Sequence, residues 1–434
     1  MPFIRIRWRI FGFLFVFGLL AYFQQKSITI AAERIMPELH LTQLQIGWLQ
    51  QAFVLGYAAF QIPGGIFGQR LGARRTFIFI GLLAFTAMLT TSMAPFVLGG
   101  QGLFVALLSA QLLLGIAQGA IFPVSAGVFE SWFPARHWAL VQGLQSMGLQ
   151  LGAAMTGPLI ASMMQSMGWQ RALLYTTLPA LGVIGLWAWY GRDFPREHRS
   201  VSAAELAEIG DRSEELRAAV PGPNRLKKLF TNRNIMLLAF SYLCMNYTFY
   251  LLANWVFLYL VQVRKFSVLE SGWLASVPPL AAALGAGLGG LLTGIACARL
   301  GARWGYRLVP LCAMPTAGLL LLAGVGASNA YVAVFALALS YGVVELTEAS
   351  YWASAMNLGR GDTMTVSGVM NTGGNLGGII GIPIVAYFSG HNAWSTAFWI
   401  GTVLAVVSAV AWLGIDTERS LRDASTTENG RITA

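Results

Sequence analysis

The chain has 434 residues and a formal net charge of +10. Hydrophobic residues make up 56% of it and charged residues only 11%, and the mean hydropathy is +0.62. Because soluble domains carry about a quarter charged residues, this composition excludes a water-soluble protein and indicates a multi-pass membrane protein. The excess of lysine and arginine is then expected in cytoplasmic loops beside anionic lipids, and not at a nucleic-acid interface.

About 20 apolar residues cross the ~30 Å hydrocarbon core as a helix, and the chain has room for about twelve such segments. In the first half five of them are expected near 11–31, 47–67, 76–94, 103–129 and 139–164, and a sixth is expected after a short turn at 168–171 and to end near 190. In the second half they are expected near 235–261, 272–296, 308–327, 331–356, 366–388 and 393–412. The predicted fold class is therefore an all-α membrane protein with about twelve transmembrane helices in two six-helix bundles.

The composition changes between the two sets of segments, where charged residues and prolines cluster. This change predicts an N-terminal six-helix bundle over 1–191 and a cytoplasmic linker over 192–234, which is expected to be partly helical over 203–216. A C-terminal six-helix bundle follows over 235–415. The polar tail, 416–434, is expected to be cytoplasmic and disordered.

A short basic loop after the second apolar segment determines the expected topology. The stretch 61–75 contains glycines that allow a sharp turn and close approach of two helices, and it ends in Arg70, Arg74 and Arg75. Most arginines and lysines fall on this side, which predicts that both termini are cytoplasmic. Arg299-Leu300-Gly301-Ala302-Arg303 occupies the equivalent place in the second half. It indicates a weak internal repeat.

Local motifs sharpen this picture. They are Gly56-Tyr57 with Gln61-Ile62-Pro63-Gly64-Gly65, Trp132-Phe133-Pro134, Gly168-Trp169, Val201-Ser202 with Glu205, Ser276-Val277-Pro278 and the run 367–378. With the two six-helix halves and the basic loop, they resemble the Major Facilitator Superfamily, and within it the anion:cation symporter family. That family includes bacterial sugar-acid carriers and the vesicular glutamate and lysosomal sialic acid carriers.

The resemblance implies that arginines bind the carboxylate of the substrate and that acidic residues carry a coupling proton, but this chain departs from the family at those positions. Helix 1 has Gln24 and Gln25 where the family has an Asp-Arg pair, and helix 4 has Gln111 and Gln118 where the family has an arginine and a glutamate. Glutamine neither titrates nor carries a fixed charge. These positions therefore cannot perform the proton coupling of the family.

Charged residues inside a membrane cost several kcal/mol and need an explanation. Lys26 lies next to the altered pair in helix 1, where it either binds an anion or reaches towards the outer headgroups. Glu345 and Glu348 are three residues apart, so we expect them on one face of helix 10, as proton carriers, cation ligands or hydrogen-bonding partners of neighbouring helices. Glu130 is expected to form a gate or a loop salt bridge.

Several polar side chains lie on helices that line the central cavity in this fold. The candidates for substrate binding, besides Lys26, are Gln25, Gln50, Gln111, Asn246, Tyr250, Asn371 and Asn375. The alternative is that the amides bridge helices and that the aromatic residues only pack. Arg70, Arg74 and Arg75 are interpreted as gate residues, with Glu130 as a possible acidic partner because Gln69 replaces the acid that the superfamily has there.

The sequence thus predicts a secondary transporter that moves a small polar solute by alternating access. An organic anion is expected from the resemblance, whereas the lost charges favour a neutral or zwitterionic solute and uncoupled facilitation. A non-transporting membrane sensor or assembly partner is the third interpretation. We expect no enzyme activity, metal, cofactor or nucleic-acid partner, since no phosphate loop, metal-ligand cluster or nucleophile constellation is visible. The expected partners are the solute, the bilayer and protons, and the expected state is a monomer in a bacterial cytoplasmic membrane.

Overall fold

The computed structural model describes residues 5–210, 212–218, 223–266, 274 and 276–418. Within these ranges every long element is a helix, which confirms the all-α fold class. The predicted start of the eighth membrane helix, at 272–273, and the tail from 419 onward lie outside the described residues.

In the first half, seven α-helices lie in the described residues. They are α1 (Ile6–Leu39), α2 (Gln43–Leu71), α3 (Ala73–Val97), α4 (Gly100–Gly119), α5 (Ile121–Trp132), α6 (Trp138–Met167) and α7 (Trp169–Tyr190). Thr42 starts α2 with a capping box, in which its hydroxyl accepts from the Gln45 backbone and the Gln45 side chain accepts from the Thr42 backbone.

Three short helices follow, and then the second half begins. The short helices are α8 (Ala203–Ile209), α9 (Ser213–Ala218) and α10 (Pro223–Thr231). The long helices are α11 (Arg233–Gln262), α12 (Val277–Gly326), α13 (Ala330–Glu345), α14 (Glu348–Gly359), α15 (Thr363–Gly390) and α16 (Trp394–Leu413). Asn232 and Asn329 accept backbone N–H groups at the starts of α11 and α13.

Nine segments of the described residues are long and apolar enough to cross a membrane. The longest of them, α12, turns sharply at Gly301 (φ 76°, ψ 171°), so it forms two arms, 277–300 and 302–326. The helices α2 and α6 are 29 and 30 residues long but rich in glutamine, which lowers their hydropathy. With these additions, the described part of the chain contains twelve segments of membrane-spanning length, as the sequence predicts.

Two of the predicted spans are interrupted, which the sequence analysis did not anticipate. The fourth breaks at Ala120, between α4 and α5, because Pro123 cannot donate to the carbonyl of Gly119 and its ring collides with that carbonyl. The tenth breaks at Leu346 and Thr347, where the Thr347 N–H bonds to the Val344 carbonyl three residues back, as in a 3₁₀ turn. Glu345 and Glu348 therefore flank a break and do not share one continuous helix.

The helices cluster into two compact units. The first comprises Met1–Trp132 and Leu151–Val220, and the second comprises Phe133–Gln150 and Pro221–Ala434. The helix α6 thus contributes its first residues to the second unit and the remainder to the first. The bounds predicted for the two bundles, the linker and the tail stay predictions.

Close backbone contacts hold helices together inside each unit. In the first unit a Cβ on Gly115 would lie 2.1 Å from the Phe53 carbonyl oxygen, so α4 and α2 touch through glycine. In the second unit a Cβ on Gly285 would lie 1.9 Å from the Gly342 carbonyl oxygen, so α12 and α13 do the same. Such small-residue contacts are the usual means of association between membrane helices.

Candidate functional site

Lys26 is the one charged side chain in the apolar stretch 11–31 of α1. It is half-buried, and it makes no hydrogen bond or ion pair with any residue that the structure describes. The neighbouring Gln25 is also half-buried and equally unengaged among the described residues. Placing a cation in the membrane without a counterion costs free energy, and an anionic ligand that paired with Lys26 would reduce this cost. Lys26 is therefore available for an anionic ligand.

Gln24 and Gln118 are brought together inside the first unit. The Gln118 amide donates to the Ala21 carbonyl (3.1 Å) and to the Gln24 Oε1 (3.4 Å), and both glutamines are buried. They line a cavity of about 30 Å³ whose other walls are apolar. This volume is about that of one water molecule. The pair therefore links α1 to α4, and no organic solute fits beside it in this geometry.

The other candidate glutamines of the first unit contact threonines. The Gln111 Nε2 donates to the Thr91 Oγ1 over 3.5 Å, and Gln111 is buried between α4 and α3. Gln50 is exposed and its Nε2 donates to the Thr29 Oγ1 over 3.4 Å. Both bonds are long for hydrogen bonds of this type, so these amides can exchange their partners at little cost.

The two glutamates of the tenth span have different surroundings, and both are buried. The Glu345 Oε1 accepts from the Gln150 amide (2.9 Å), which is its only hydrogen bond among the described residues. Both carboxylate oxygens of Glu348 accept from the Tyr242 hydroxyl (3.1 Å each), and its Oε2 also accepts from the Trp352 indole (2.8 Å). Glu348 is thus held firmly, whereas one carboxylate oxygen of Glu345 has no hydrogen bond to any described residue.

The residues that hold these glutamates were not among the candidates predicted from the sequence. Trp352 lies four residues after Glu348, and Tyr242 lies four residues before the candidate Asn246, so helical spacing could have indicated both. Gln150 comes from α6, far away in the sequence, and no local pattern connects it to Glu345.

Polar candidates on α11 and α15 meet each other. The Tyr250 hydroxyl donates to the Asn375 Oδ1 (3.1 Å), and the Asn375 amide donates to the carbonyl of Asn371 (2.8 Å). Asn246 donates to the carbonyl of Tyr242 on its own helix (2.9 Å). Gly378 packs against the Tyr250 ring, since a Cβ there would lie 2.4 Å from it. These contacts position the four candidates on two adjacent helices of the second unit.

The basic loop after α2 is anchored by an acidic residue that the sequence analysis missed. The Asp193 Oδ1 accepts from the Arg74 backbone N–H (2.7 Å), at the start of α3, and the Arg74 guanidinium donates to the Ala188 carbonyl at the end of α7. Gly72 has φ 85°, and its missing side chain leaves room for the carboxylate. Burial raises the pKa of Asp193, with Glu197 acting in the same direction, although the Arg74 hydrogen bond opposes the shift.

The equivalent loop of the second half, at 299–307, has the same two features: a glycine with positive φ and an acidic residue that accepts a backbone N–H. Gly301 has φ 76°, close to that of Gly72, and the Arg303 backbone N–H donates to the Glu418 carboxylate (3.4 Å). The Arg307 guanidinium donates to the Ile415 carbonyl (2.8 Å from Nε). These matching conformations and acidic anchors support the internal repeat that the sequence indicates.

The gate candidates show two kinds of environment. Glu130 is buried and forms a salt bridge with Arg212 of the linker (3.5 Å), and Arg212 also pairs with Glu215. Arg70 and Arg75 are exposed. The structure thus places a linker residue beside Glu130, which the sequence analysis did not predict.

The linker also binds the start of α1. The buried Glu205 carboxylate accepts the backbone N–H groups of Ile6 (3.2 Å) and Arg7 (3.1 Å). Glu208 pairs with Arg5 and with the buried Arg7 (2.8 Å). Carboxylates at a helix N-terminus are stabilising because they satisfy free N–H groups and complement the helix dipole. The helix α8 is therefore attached to the first unit.

The family follows from a comparison over most of the chain. A model of the Major Facilitator Superfamily matches residues 14–381. The chain belongs to the Major Facilitator Superfamily. This membership confirms the expected superfamily and the expected multi-pass membrane transporter.

Related superfamily members are named as transporters of organic anions. A probable sulfoacetate transporter, SauU, from Cupriavidus necator is 29% identical over 415 residues, which cover 95% of this chain and 94% of that protein. The hexuronate transporter of Bacillus subtilis is 27% identical over 405 residues, covering 92% of each chain.

Solved structures show the same fold. The proton:xylose symporter XylE has a TM-score of 0.74 at 13% identity, covering 95% of this chain and 97% of that one. The superfamily transporter FucP in its outward conformation has a TM-score of 0.72 at 17% identity, covering 95% and 100%. At these identities the likeness establishes the architecture and not the substrate.

Proposed function

We propose that the protein is a secondary transporter of a small organic anion and that Lys26 binds the anionic group. The observation that carries this proposal is the half-buried Lys26 ammonium, which has no counterion among the described residues. The names of the two relatives, for sulfoacetate and hexuronate, support an anion over the neutral or zwitterionic solute. Transport would follow alternating access around a site near the midplane, the usual mechanism for this architecture.

In the proposed site a lysine and several amides stand in place of the arginines that the anion:cation symporter family uses. An ammonium is a compact point charge with three donors, whereas a guanidinium binds a carboxylate with two fixed parallel bonds. Gln25 on the same helix, and the loosely bonded Gln50 and Gln111, supply neutral donors for hydroxyl or carboxylate oxygens. Asn246, Tyr250, Asn371 and Asn375 are proposed as the corresponding polar contacts on α11 and α15.

We propose Glu345 as the proton carrier and Glu348 as a fixed acceptor that holds the tenth span. Among the described residues Glu345 has one hydrogen bond, from the neutral Gln150 amide, and its second carboxylate oxygen can receive a proton. Glu348 has three hydrogen bonds from Tyr242 and Trp352. The glutamines at the family's acidic positions, Gln24 and Gln118, are proposed to join α1 to α4 and not to act in coupling.

The proposed topology has both termini in the cytoplasm, with the 70–75 and 299–307 loops on the same side. Arg70, Arg74, Arg75 and Glu130 then belong to the cytoplasmic gate region. A monomer in a bacterial cytoplasmic membrane is the proposed state.

The experiment is uptake into proteoliposomes of a panel of sulfonates, sugar acids, sugars and amino acids, with and without an inward proton gradient. We expect saturable uptake of an organic anion, stimulated by the gradient. Glu345→Gln should lose the stimulation but keep counterflow exchange of the same anion, whereas Glu348→Gln should keep the stimulation at reduced overall activity.

Other results would replace the proposal. Uptake that ignores the gradient in every variant would make the protein a facilitator and both glutamates structural. Uptake of sugars or amino acids in preference to anions would contradict the role of Lys26. Binding of a solute without any flux would favour the sensor interpretation.

A further inference from the structure

A groove in the second unit has no role in the proposed transport. It lies between the two arms of α12 and the end of α13 and has a volume of about 610 Å³. Its walls are almost entirely aliphatic, with contributions from Leu292 and Ile295 on the first arm and Leu308 on the second. All three of these side chains are exposed on the surface of the unit, so the groove opens where a membrane protein meets lipid.

The hairpin of α12 gives the groove a fixed form. Gly301 reverses the chain, and just beyond it Gly305 lies against Cys297, since a Cβ on Gly305 would be 2.3 Å from the Cys297 Cα. This contact holds the two arms together near the turn. The small residues Ala296 and Ala313 line the floor of the groove, and both are buried.

One charged residue, Arg299, lines this apolar groove. It is exposed and makes no hydrogen bond or ion pair with any described residue. The contrast with Arg307 is clear, because that guanidinium is buried and bonds to the Ile415 carbonyl. Arg299 lies at the end of the groove next to the Gly301 turn, which is the end nearest the lipid headgroups in the proposed topology.

The dimensions match one leaflet of a bilayer. The wall from Leu292 to Arg299 rises about 10 Å and the wall from Leu308 to Thr316 about 12 Å, at 1.5 Å per residue. One leaflet accounts for about half of the ~30 Å hydrocarbon core, or roughly 15 Å. The groove therefore follows most of an acyl chain, and it places a cation where the chain ends.

We propose that this groove binds an anionic phospholipid, with an acyl chain along the aliphatic walls and the phosphate on Arg299. Charge complementarity decides the occupant, because a basic residue at the cytoplasmic end of an interhelical groove is suited to an anionic headgroup. This inference rests on the groove and on the proposed topology, which sets Arg299 at the cytoplasmic headgroups, and it does not depend on which solute is transported.

The test is native mass spectrometry of the purified full-length protein, delipidated and then titrated with phosphatidylglycerol or phosphatidylcholine. We expect one phosphatidylglycerol to bind more tightly than phosphatidylcholine. Arg299→Gln should weaken phosphatidylglycerol binding about fivefold, the usual effect of one basic residue near an anionic lipid. Arg303→Gln is the matched control, because it removes the same charge four residues away without lining the groove.

A second variant tests the apolar part. Cys312 is an exposed groove residue, and Cys312→Trp should reduce the binding of both lipids by occupying the space of the acyl chain. If Cys312→Trp fails to fold, the comparison of Arg299→Gln with Arg303→Gln decides alone.

Three results would overturn the proposal. Equal losses in Arg299→Gln and Arg303→Gln would reduce the effect to general surface charge. Binding of phosphatidylglycerol that neither Arg299→Gln nor Cys312→Trp alters would place the lipid elsewhere. Efficient cross-linking of two chains through Cys312, with no lipid bound in the groove, would make a second copy the occupant.

Discussion

Asp193 should stabilise the basic loop by acting as a helix cap from 119 residues away in the sequence. The residue at the N-cap position of α3 is Gly72, which has no side chain to satisfy the free N–H groups of the first turn. The Asp193 carboxylate takes that role for the Arg74 N–H at 2.7 Å. Replacing Asp193 by alanine therefore removes the acceptor and leaves this N–H without its partner.

The magnitude follows from these contacts. Loss of an N-cap acceptor costs about 0.5–2 kcal/mol, and leaving a partly buried donor unsatisfied costs about 1–3 kcal/mol. We therefore expect Asp193→Ala to lower the free energy of unfolding by about 1–2 kcal/mol. Asp193→Asn keeps an acceptor oxygen and removes a charge that burial disfavours, so it should change the free energy of unfolding by less than about 1 kcal/mol.

Two measurements on purified protein in detergent test this expectation. Thermal unfolding reports the overall loss, and limited trypsin digestion reports the loop itself, because Arg70, Arg74 and Arg75 are cleavage sites within it. Asp193→Ala should unfold at a lower temperature and be cut faster in the loop, with Asp193→Asn close to wild type. Equal behaviour of wild type and Asp193→Ala would refute the capping role, and an equal loss in both variants would assign the effect to the charge.

The pH dependence has a definite sign. Burial raises the pKa of Asp193 in the folded protein, so the folded state binds this proton more readily than the unfolded chain does. The stability of wild type relative to Asp193→Asn should therefore increase as the pH falls through the folded pKa and decrease as it rises. Thermal unfolding of the two proteins across a pH series measures this difference, and the opposite trend would contradict the shift.

Two further predictions concern packing and the linker. Gly285→Ala should lower the unfolding temperature, with a loss of about 1–3 kcal/mol in the free energy of unfolding, because its Cβ would lie 1.9 Å from a carbonyl oxygen of α13. Gly294→Ala on the same arm is the control, since a Cβ there would meet nothing within 4 Å and the variant should be tolerated. Equal effects of the two substitutions would refute the contact. Glu205→Ala should destabilise the protein by about 0.5–2 kcal/mol, since it exposes two N–H groups of α1. Glu214 is exposed, so Glu214→Ala should leave the unfolding temperature unchanged. If Glu205→Ala also left the unfolding temperature unchanged, α8 would not be attached through Glu205.

The sequence was sufficient to predict the architecture, because a membrane span has a strong local signature in the sequence. Twenty apolar residues in a row permit little besides a spanning helix, so the number of spans and a turn within 61–75 could be predicted. The repeat at Gly301 was also visible, since the same residue types recur at the same spacing. Pro123 also indicates a break in the fourth span, because proline removes a hydrogen bond from a helix interior, although that break was not among the predictions.

The pairing of distant side chains could not be predicted in the same way. Gln150 meets Glu345, and Asp193 meets Arg74, only because separate helices pack together, and no local spacing encodes such contacts. The break between Glu345 and Glu348 depends on a threonine whose hydroxyl bonds to the Val344 carbonyl at 2.7 Å. Threonine allows such a bond but does not require it, so the sequence favoured a continuous helix there.

The most direct test of anion transport is the kinetics of organic-anion uptake into proteoliposomes for wild type, Lys26→Gln and Lys26→Arg. Lys26→Gln removes the charge while keeping a polar, slightly shorter side chain that can still hydrogen-bond, so uptake efficiency (kcat/KM) should fall at least about tenfold, as expected for a charged hydrogen bond. Lys26→Arg should restore much of the loss. A Lys26→Gln variant that transports the anion as well as wild type would contradict the proposed site.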